Sequence, residues 1–334
     1  IKALPDGTHT SEVTYNPLGT PMTIPVRVTI AGDTIEIDFE GAPPEVPLGG
    51  INCTMSYTTA HATYPLKCML TPGVRGNAGC YRAFTVNAPK GSVLNCNKPA
   101  PVSLRTRTGW YISSNIFRAI ADAAPDKVVA HTGLPSLLTV YGRAPDGKIF
   151  YDHLLSGGGQ GGSSAKAGES SVLWPTSAAT SSIELLESRS PVVIREKGFV
   201  TDSGGGGEHR GGLGARIRLA KRYDDGIPVT VFISPERVNA PIEGLFGGQP
   251  GLLAHGYVLD DQGAVVEDVG TGGLVMITSA DRLVELQLGG GAGPGDPLKR
   301  AVDDVEYDMR EGYVSAEAAE SIYGLTDRKK EKAA

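Results

Sequence analysis

A chain of 334 residues, 40% hydrophobic and 20% charged, is long enough to bury a core and too apolar to remain disordered. Its 31 Lys and Arg against 37 Asp and Glu leave a net charge of −6, which argues against a nucleic-acid binder working through a basic face. The 45 glycines, with only 6% aromatic residues, predict a turn-rich architecture with close backbone packing. No apolar run reaches transmembrane length and no signal-peptide pattern is present, so the sequence reads as a cytoplasmic protein with no membrane role.

In chain order, Val26–Ile30 and Thr34–Phe39 alternate around Ala31-Gly32-Asp33 and predict a β-hairpin. Tyr57, His61, Tyr64 and Cys68 recur at helical spacing, with Pro65 expected to kink or shorten that helix. A second helix is expected over residues 108–124, stopped by Pro125. "FYDHLLSGGGQGGSSAKAGESS", from residue 150, reads as a long functional or mobile loop. Short strands are expected at Val192–Glu196, Ala215–Ala220 and Pro228–Ile233, separated by glycine clusters. "VSAEAAESIYG" predicts a short helix with Ser315 as N-cap and Gly324 as its stop. The fold class is thus α+β: β-rich mixed sheets, a few helices and long Gly-rich loops. Three segments are expected: 1–150 with the hairpin and two helices, 151–300 with strands and Gly loops, and 301–334 with a C-terminal helix and tail.

The chemistry-bearing residues are sparse. Cys53, Cys68, Cys80 and Cys96 form no C-x-x-C pair and read as reduced thiols in or near a core. The six histidines lack metal-ligand spacing, so no metal site is expected within this chain alone. His61 and His255 read as structural, whereas His153, beside Asp152 and just before a glycine run, is a candidate acid or base. Glu184 and Glu187 could share a helical face and split acid and base roles, or form a solvated helix start. "TDSGGGGEHRGGLGARIRL", residues 201–219, is the densest glycine stretch. A nest of its N–H groups with His209 and Arg210 could hold an anion. Tight turns, with Arg210 in a structural ion pair, account for the same residues.

"NAPKGSVLNCNKPAPVSLRT", "GGGQGGSS", "IELLESRSPVVI", "DSGGGGEHRGGLGARIR" and "NAPIEGLFGGQPG" together resemble the hydantoinase B/oxoprolinase family. The C-terminal "GGGAGPGDPLKRAVDDVEYDMREGYVSAEAAESIYGL" resembles that family's C-terminal end. The resemblance implies a B-type subunit of an ATP-dependent cyclic amide hydrolase of the hydantoin or 5-oxoproline type. A subunit of a ketone carboxylase, or a scaffold chain without catalysis of its own, are the alternatives. It implies a hetero-oligomer in which an A-type subunit binds ATP and Mg and phosphorylates a small-molecule substrate. His153, Glu184 and Arg210 are then the catalytic candidates, with Gly205, Gly206, His209 and Ser177 lining the activated substrate. Between Ser177 and Ser182 this chain reads Ala-Ala-Thr-Ser where many relatives carry an Asn/Pro-containing stretch. Family members are longer, and their acidic, His-containing metal motif lies in an N-terminal half that this Met-less chain lacks. A fragment, a processed chain or one half of a split subunit is expected, with that N-terminal half as partner and holder of a divalent metal.

Overall fold

The computed structural model describes residues 1–176, 178–235 and 242–333, with side chains described as far as residue 330. It is a mixed α+β structure with three sheets and few helices. Alternating apolar residues build the first sheet. β1 (Gly7–Tyr15), β2 (Met22–Ala31) and β3 (Thr34–Asp38) form an antiparallel meander. Ile24, Val26, Val28 and Ile30 all point into the core. Gly32, at φ +60°, and Asp33 make the expected two-residue turn, with Ala31 opposite Thr34.

Three helices follow in sequence: α1 (Met55–Leu70), α2 (Ala78–Tyr81) and α3 (Thr106–Ala119), with β4 (Phe84–Asn87) pairing parallel to β3. Pro65 does not shorten the helix; α1 continues to Leu70. Proline removes the donor that the His61 carbonyl would use, and Ser113 Oγ of α3 donates to that oxygen instead at 2.8 Å. α3 ends at Ala119, short of the predicted residue 124. From Ile120 the chain makes turns in which the N–H groups of Ala123 and Ala124 both donate to the Ile120 carbonyl. All of α3 except Thr106 and Arg118 is buried. Gly109 lets α1 close on it, because a Cβ there would overlap the Tyr57 ring. Ile112 and Ile116, fully buried in this cluster, each contribute about 1.5–3 kcal/mol.

The middle of the chain forms two antiparallel sheets around a second apolar cluster. Its elements are β5 (Ser136–Arg143), β6 (Ile149–Ser156), α4 (Ile183–Arg189), β7 (Val192–Phe199), β8 (Ala215–Lys221), β9 (Val229–Ile233), β10 (His255–Leu259), β11 (Val265–Asp268), β12 (Gly273–Ile277) and β13 (Leu283–Gln287). The strand orders are β11-β10-β13-β8-β7 and β12-β9-β5-β6. The start of the predicted loop, through Ser156, is strand β6, paired with β5 from Ser136↔Ser156 to Arg143↔Ile149. Phe150, Leu154 and Ser156 face inward and Ile149, Tyr151 and His153 outward, a period-2 pattern obscured by the glycines that follow.

The C-terminal helices α5 (Val302–Arg310), α6 (Ala316–Ser321) and α7 (Leu325–Ala333) enclose a third, small cluster. Ser315 caps α6 by accepting from Ala318 N at 3.0 Å, and Gly324 sits at φ +59° beyond it, as the sequence indicates.

The glycine-rich segments lie where the three clusters meet. Leu245 and Ala292 belong to the first cluster and Leu288 to the second, while a Cβ at Gly206 would reach Ile322 of the third at 2.6 Å. Stretches around residues 130–133, 157–162, 203–214, 244–251 and 288–293 hydrogen-bond to one another through their backbones. Gly159 N donates to Gly289 O at 3.0 Å, Gly212 N to Gln160 O at 2.7 Å, Gly291 N to Gly212 O at 2.9 Å and Gly205 N to Gly291 O at 2.8 Å. None of the glycines in 157–162, 204–214 or 289–293 has positive φ. Tight turns therefore do not explain the composition of 201–219. The explanation is approach of backbone to backbone: a Cβ on Gly159 would fall on the Gly212 carbonyl, and one on Gly207 would lie 2.5 Å from Pro294 O.

Gly159→Ala should accordingly lower stability by about 3 kcal/mol or more, because both partners of the clash are backbone. Gly73→Ala, with open space around it and no positive φ, should be neutral or stabilising by up to about 1 kcal/mol. Urea denaturation of the two variants checks this; comparable losses would refute the close-approach account.

Candidate functional site

The sequence-derived candidates fall into two groups. Gly205, Gly206, His209 and Arg210 lie in the glycine layer. Gly205 N donates to Gly291 O, Gly206 O accepts from Gln249 N at 2.7 Å, and His209 N donates to Pro294 O at 3.4 Å. His153 and Glu184 lie on the sheet side. His153 is exposed on β6, opposite Thr139, and shares the outer face of its sheet with Tyr151 and Ile149. Glu184 is exposed in the first turn of α4 and accepts from Ser182 Oγ at 2.6 Å. That bond, followed by Glu184's own N–H and the charge of Lys197, holds its carboxyl below the ordinary value. Ser181 Oγ donates to His153 O at 3.3 Å, tying the loop before α4 to β6. Among the described residues no hydrogen bond or ion pair joins the two groups. Ser177 lies outside the described residues.

Arg210 is buried and fully committed. Its Nε and one Nη donate to the two Asp308 oxygens at 3.0 and 3.2 Å, and its other Nη to Gly211 O at 2.6 Å. Arg300 donates to the same carboxylate at 2.7 Å, and the Tyr313 ring lies 5.5 Å from the Arg210 guanidinium carbon. This fork fixes α5 to the glycine layer. All of Arg210's donor nitrogens serve protein acceptors, the arrangement of the structural ion pair that the sequence left open.

A groove of about 420 Å³ is lined by Gln160, Ser171, Val172, Leu173, Trp174, Thr176, Ala178 and Thr180. The volume suits a small organic ligand. The glycine layer supplies Gln160, whose N–H donates to Glu169 O at 2.9 Å. Ser171 holds φ +53°, a left-handed conformation costly for a non-glycine residue, with its N–H on Leu213 O at 3.0 Å. Trp174 is braced from behind by Phe117 of α3 at 6.3 Å and Tyr64 of α1 at 6.2 Å between ring centroids. Lys197 Nζ reaches Thr180 Oγ1 at 3.4 Å at the rim. The lining carries hydroxyls, one carboxamide and one indole, with no charged side chain among the described residues. It can bind and orient a neutral, partly apolar molecule; it holds no carboxylate or imidazole to move a proton. Sequence reasoning passed over Gln160 and Trp174, although Gln160 is the one side chain in the run 157–162.

His131 marks a second polar spot. Its ring stacks on Tyr111 at 6.0 Å and lines a 10 Å³ cavity with Ser114 and Asn115. Ser114 Oγ and Asn115 Oδ1 have no protein partner there. That volume admits about one water molecule and no substrate. Burial, aided by the charge of Arg118, pushes the His131 imidazole down to about 3; burial alone takes His61 to about 4. Among the described residues no group of three His, Cys, Asp or Glu side chains is placed to hold a metal ion, and no helix is long and apolar enough to cross a membrane.

The sequence profile of the hydantoinase B/oxoprolinase family matches residues 1–297, and the chain belongs to that family. The caprolactamase subunit beta of Pseudomonas jessenii is 28% identical over 97% of this chain and 58% of its own length. The crystal structure of the ATP-dependent caprolactamase from that organism superposes with a TM-score of 0.81 at 27% identity, over 97% of this chain and 57% of that one. A nucleotide-free acetone carboxylase structure shares the fold, with a TM-score of 0.75 at 21% identity, over 97% of this chain and 50% of its own. The chain spans 53 to 58% of the length of three curated relatives that it matches.

Two outcomes follow from these side chains. Arg210→Met should cost about 3–5 kcal/mol in chemical denaturation, because Asp308 loses its two-pronged partner inside the protein. Turnover per folded molecule should not change; a fall in turnover at unchanged stability would return Arg210 to the chemistry. The histidines act through pH. In the unfolded chain His61 and His131 protonate near the ordinary 6.5, while in the folded chain they stay neutral to about 4 and about 3. The unfolded state therefore binds more protons below that ordinary value, and stability falls as pH drops from about 6.5 to about 4. The urea midpoint should decline over that window, and less steeply in His61→Gln; identical slopes would refute the burial effect.

Proposed function

We propose that this chain is the substrate-facing part of a B-type subunit in an ATP-dependent hydrolase of cyclic amides. The observation that supports this most is the likeness to the caprolactamase in both sequence and fold across 97% of the chain. The groove beside Trp174 is the proposed substrate site, since its lining is neutral and its volume fits a small ring. An A-type partner subunit is proposed to bind ATP and Mg and to place a phosphoryl group on the amide oxygen. That modification removes the resonance that protects the C–N bond and readies the carbon for attack by water. A divalent metal, if one takes part, is proposed to sit on polypeptide other than this chain.

Within this reading the chain's own residues position rather than activate. Trp174, held by Phe117 and Tyr64, gives the ring an apolar wall. Ser171 and Thr176 offer hydroxyls, and the hydrogen-bonded glycine layer keeps Gln160 in place. Of the sequence-derived candidates, Glu184 and His153 are proposed to act at the sheet side of the groove, through the loop carrying Thr180 and Ser181. Gly205, Gly206 and His209 are proposed to back the substrate side as part of its scaffold.

The test uses the chain assembled with its partner subunit. Caprolactam, 5-oxoproline and a hydantoin are supplied with ATP and Mg²⁺, with and without bicarbonate, and products are followed by mass spectrometry. Ring opening coupled to ADP release without bicarbonate is the expected result. A carboxylated ketone formed only with bicarbonate would replace the hydrolase reading with the carboxylase one, and full activity of the partner without this chain would leave it a scaffold.

A further inference from the structure

We infer that Gln160 reads the cis amide of the ring before the partner places a phosphoryl group on its oxygen, pairing its carboxamide edge to edge with the N–H and C=O of a lactam, hydantoin or similar cyclic amide. The inference rests on the groove being the substrate site. Residues 157–162 read Gly-Gly-Gly-Gln-Gly-Gly, so a single side chain leaves that stretch of backbone, and its residue lines the groove. Its main chain has no freedom to shift. Gln160 N–H donates to Glu169 O at 2.9 Å and Gln160 O accepts from Gly212 N at 2.7 Å. Cβ atoms added at Gly168 or Gly291 would both fall on the Gln160 carbonyl oxygen, so neighbouring backbone surrounds it closely. The side chain is half-buried, and no protein hydrogen bond to its carboxamide is present among the described residues. A carboxamide held at the wall of a cavity with both its donor and its acceptor open is a recognition element in want of a partner.

The shape of that partner follows from amide geometry. A primary carboxamide presents one N–H and its C=O on the same edge, about parallel. An amide offers the complementary pair only when it is cis. Open-chain secondary amides are trans by about 2.5–4 kcal/mol, whereas a small ring enforces the cis form at no further cost. Two reciprocal N–H···O bonds then form, and the ring methylenes lie toward Trp174. The absence of charge in the described lining fits a neutral ring. Peptides and other open-chain trans amides are refused because they would leave one half of the Gln160 edge unpaired.

The experiment measures binding to the full chain and to its assembled complex, without ATP, by calorimetry. Caprolactam and 2-pyrrolidinone are compared with their N-methyl derivatives, which keep the ring and carbonyl and lose the N–H. For the unaltered protein, the N–H lactams are expected to bind about two- to tenfold tighter than the N-methyl ones, the range for the one neutral hydrogen bond that N-methylation removes. Gln160→Leu should abolish that preference, whereas Gln160→Glu, which keeps the acceptor for the ring N–H and loses the donor to the ring C=O, should keep the preference while binding both ligand sets more weakly. Both variants should keep the unaltered thermal midpoint, since the side chain makes no protein hydrogen bond. Equal binding of both ligand sets by the unaltered protein, or an undiminished preference in Gln160→Leu, overturns the assignment. The hydrolase reading fails separately. A complex that binds lactams through Gln160 and opens none keeps this inference, while a Gln160→Leu complex that opens rings as well as the unaltered one overturns it.

Discussion

The contact of one glycine backbone with another organises this molecule. Where five stretches meet, the donors and acceptors that a sheet would pair in regular ladders are paired across segments distant in sequence, from Ala130 to Ala292. The approach is possible only because hydrogen atoms stand where Cβ atoms would be. Three separate apolar clusters end on this layer, so it acts as the common floor of the N-terminal sheet with its helices, the two-sheet middle and the C-terminal helices.

Function inherits that constraint. A layer of backbone offers no chemistry of its own, so each side chain that does leave it stands out. Two matter here. Arg210 turns away from the groove to Asp308 and Arg300, and spends its donors joining α5 to the layer. Gln160 lines the groove. The same rigid support thus yields a fastening in one direction and a reading edge in the other. Rigid support suits specificity more than catalysis, which agrees with a groove that holds no proton-transfer group among the described residues.

Much of the architecture was legible. Period-2 alternation located β2, β3 and β8, short strand-like runs between glycine clusters located β7 and β9, and the cap at Ser315 with Gly324 located α6, because these signals are local. Pro65 misled because its missing donor is compensated by Ser113, from a helix far along the chain. β6 was hidden because the glycines after Ser156 gave the whole stretch the composition of a loop. The groove was the least legible feature. Its walls come from the glycine layer, the segment before α4 and two braced aromatic rings, and such convergence is a property of packing. The glycines of 201–219 did signal close approach, but the sequence could not say whether a ligand or more backbone was doing the approaching.

The glycine layer also bears on the order in which the chain acquires its structure. It has no helix to nucleate and no hairpin to zip, and its hydrogen bonds join stretches separated by whole sheets. Each glycine gives up a large backbone entropy with no side-chain burial of its own in return. Such a layer has nothing to condense on until the sheets and helices carrying its ends have docked, which sets its closure among the late, long-range steps of folding. The groove wall that presents Gln160 is made of that same layer, so a binding-competent surface exists only once the last part of the chain has closed.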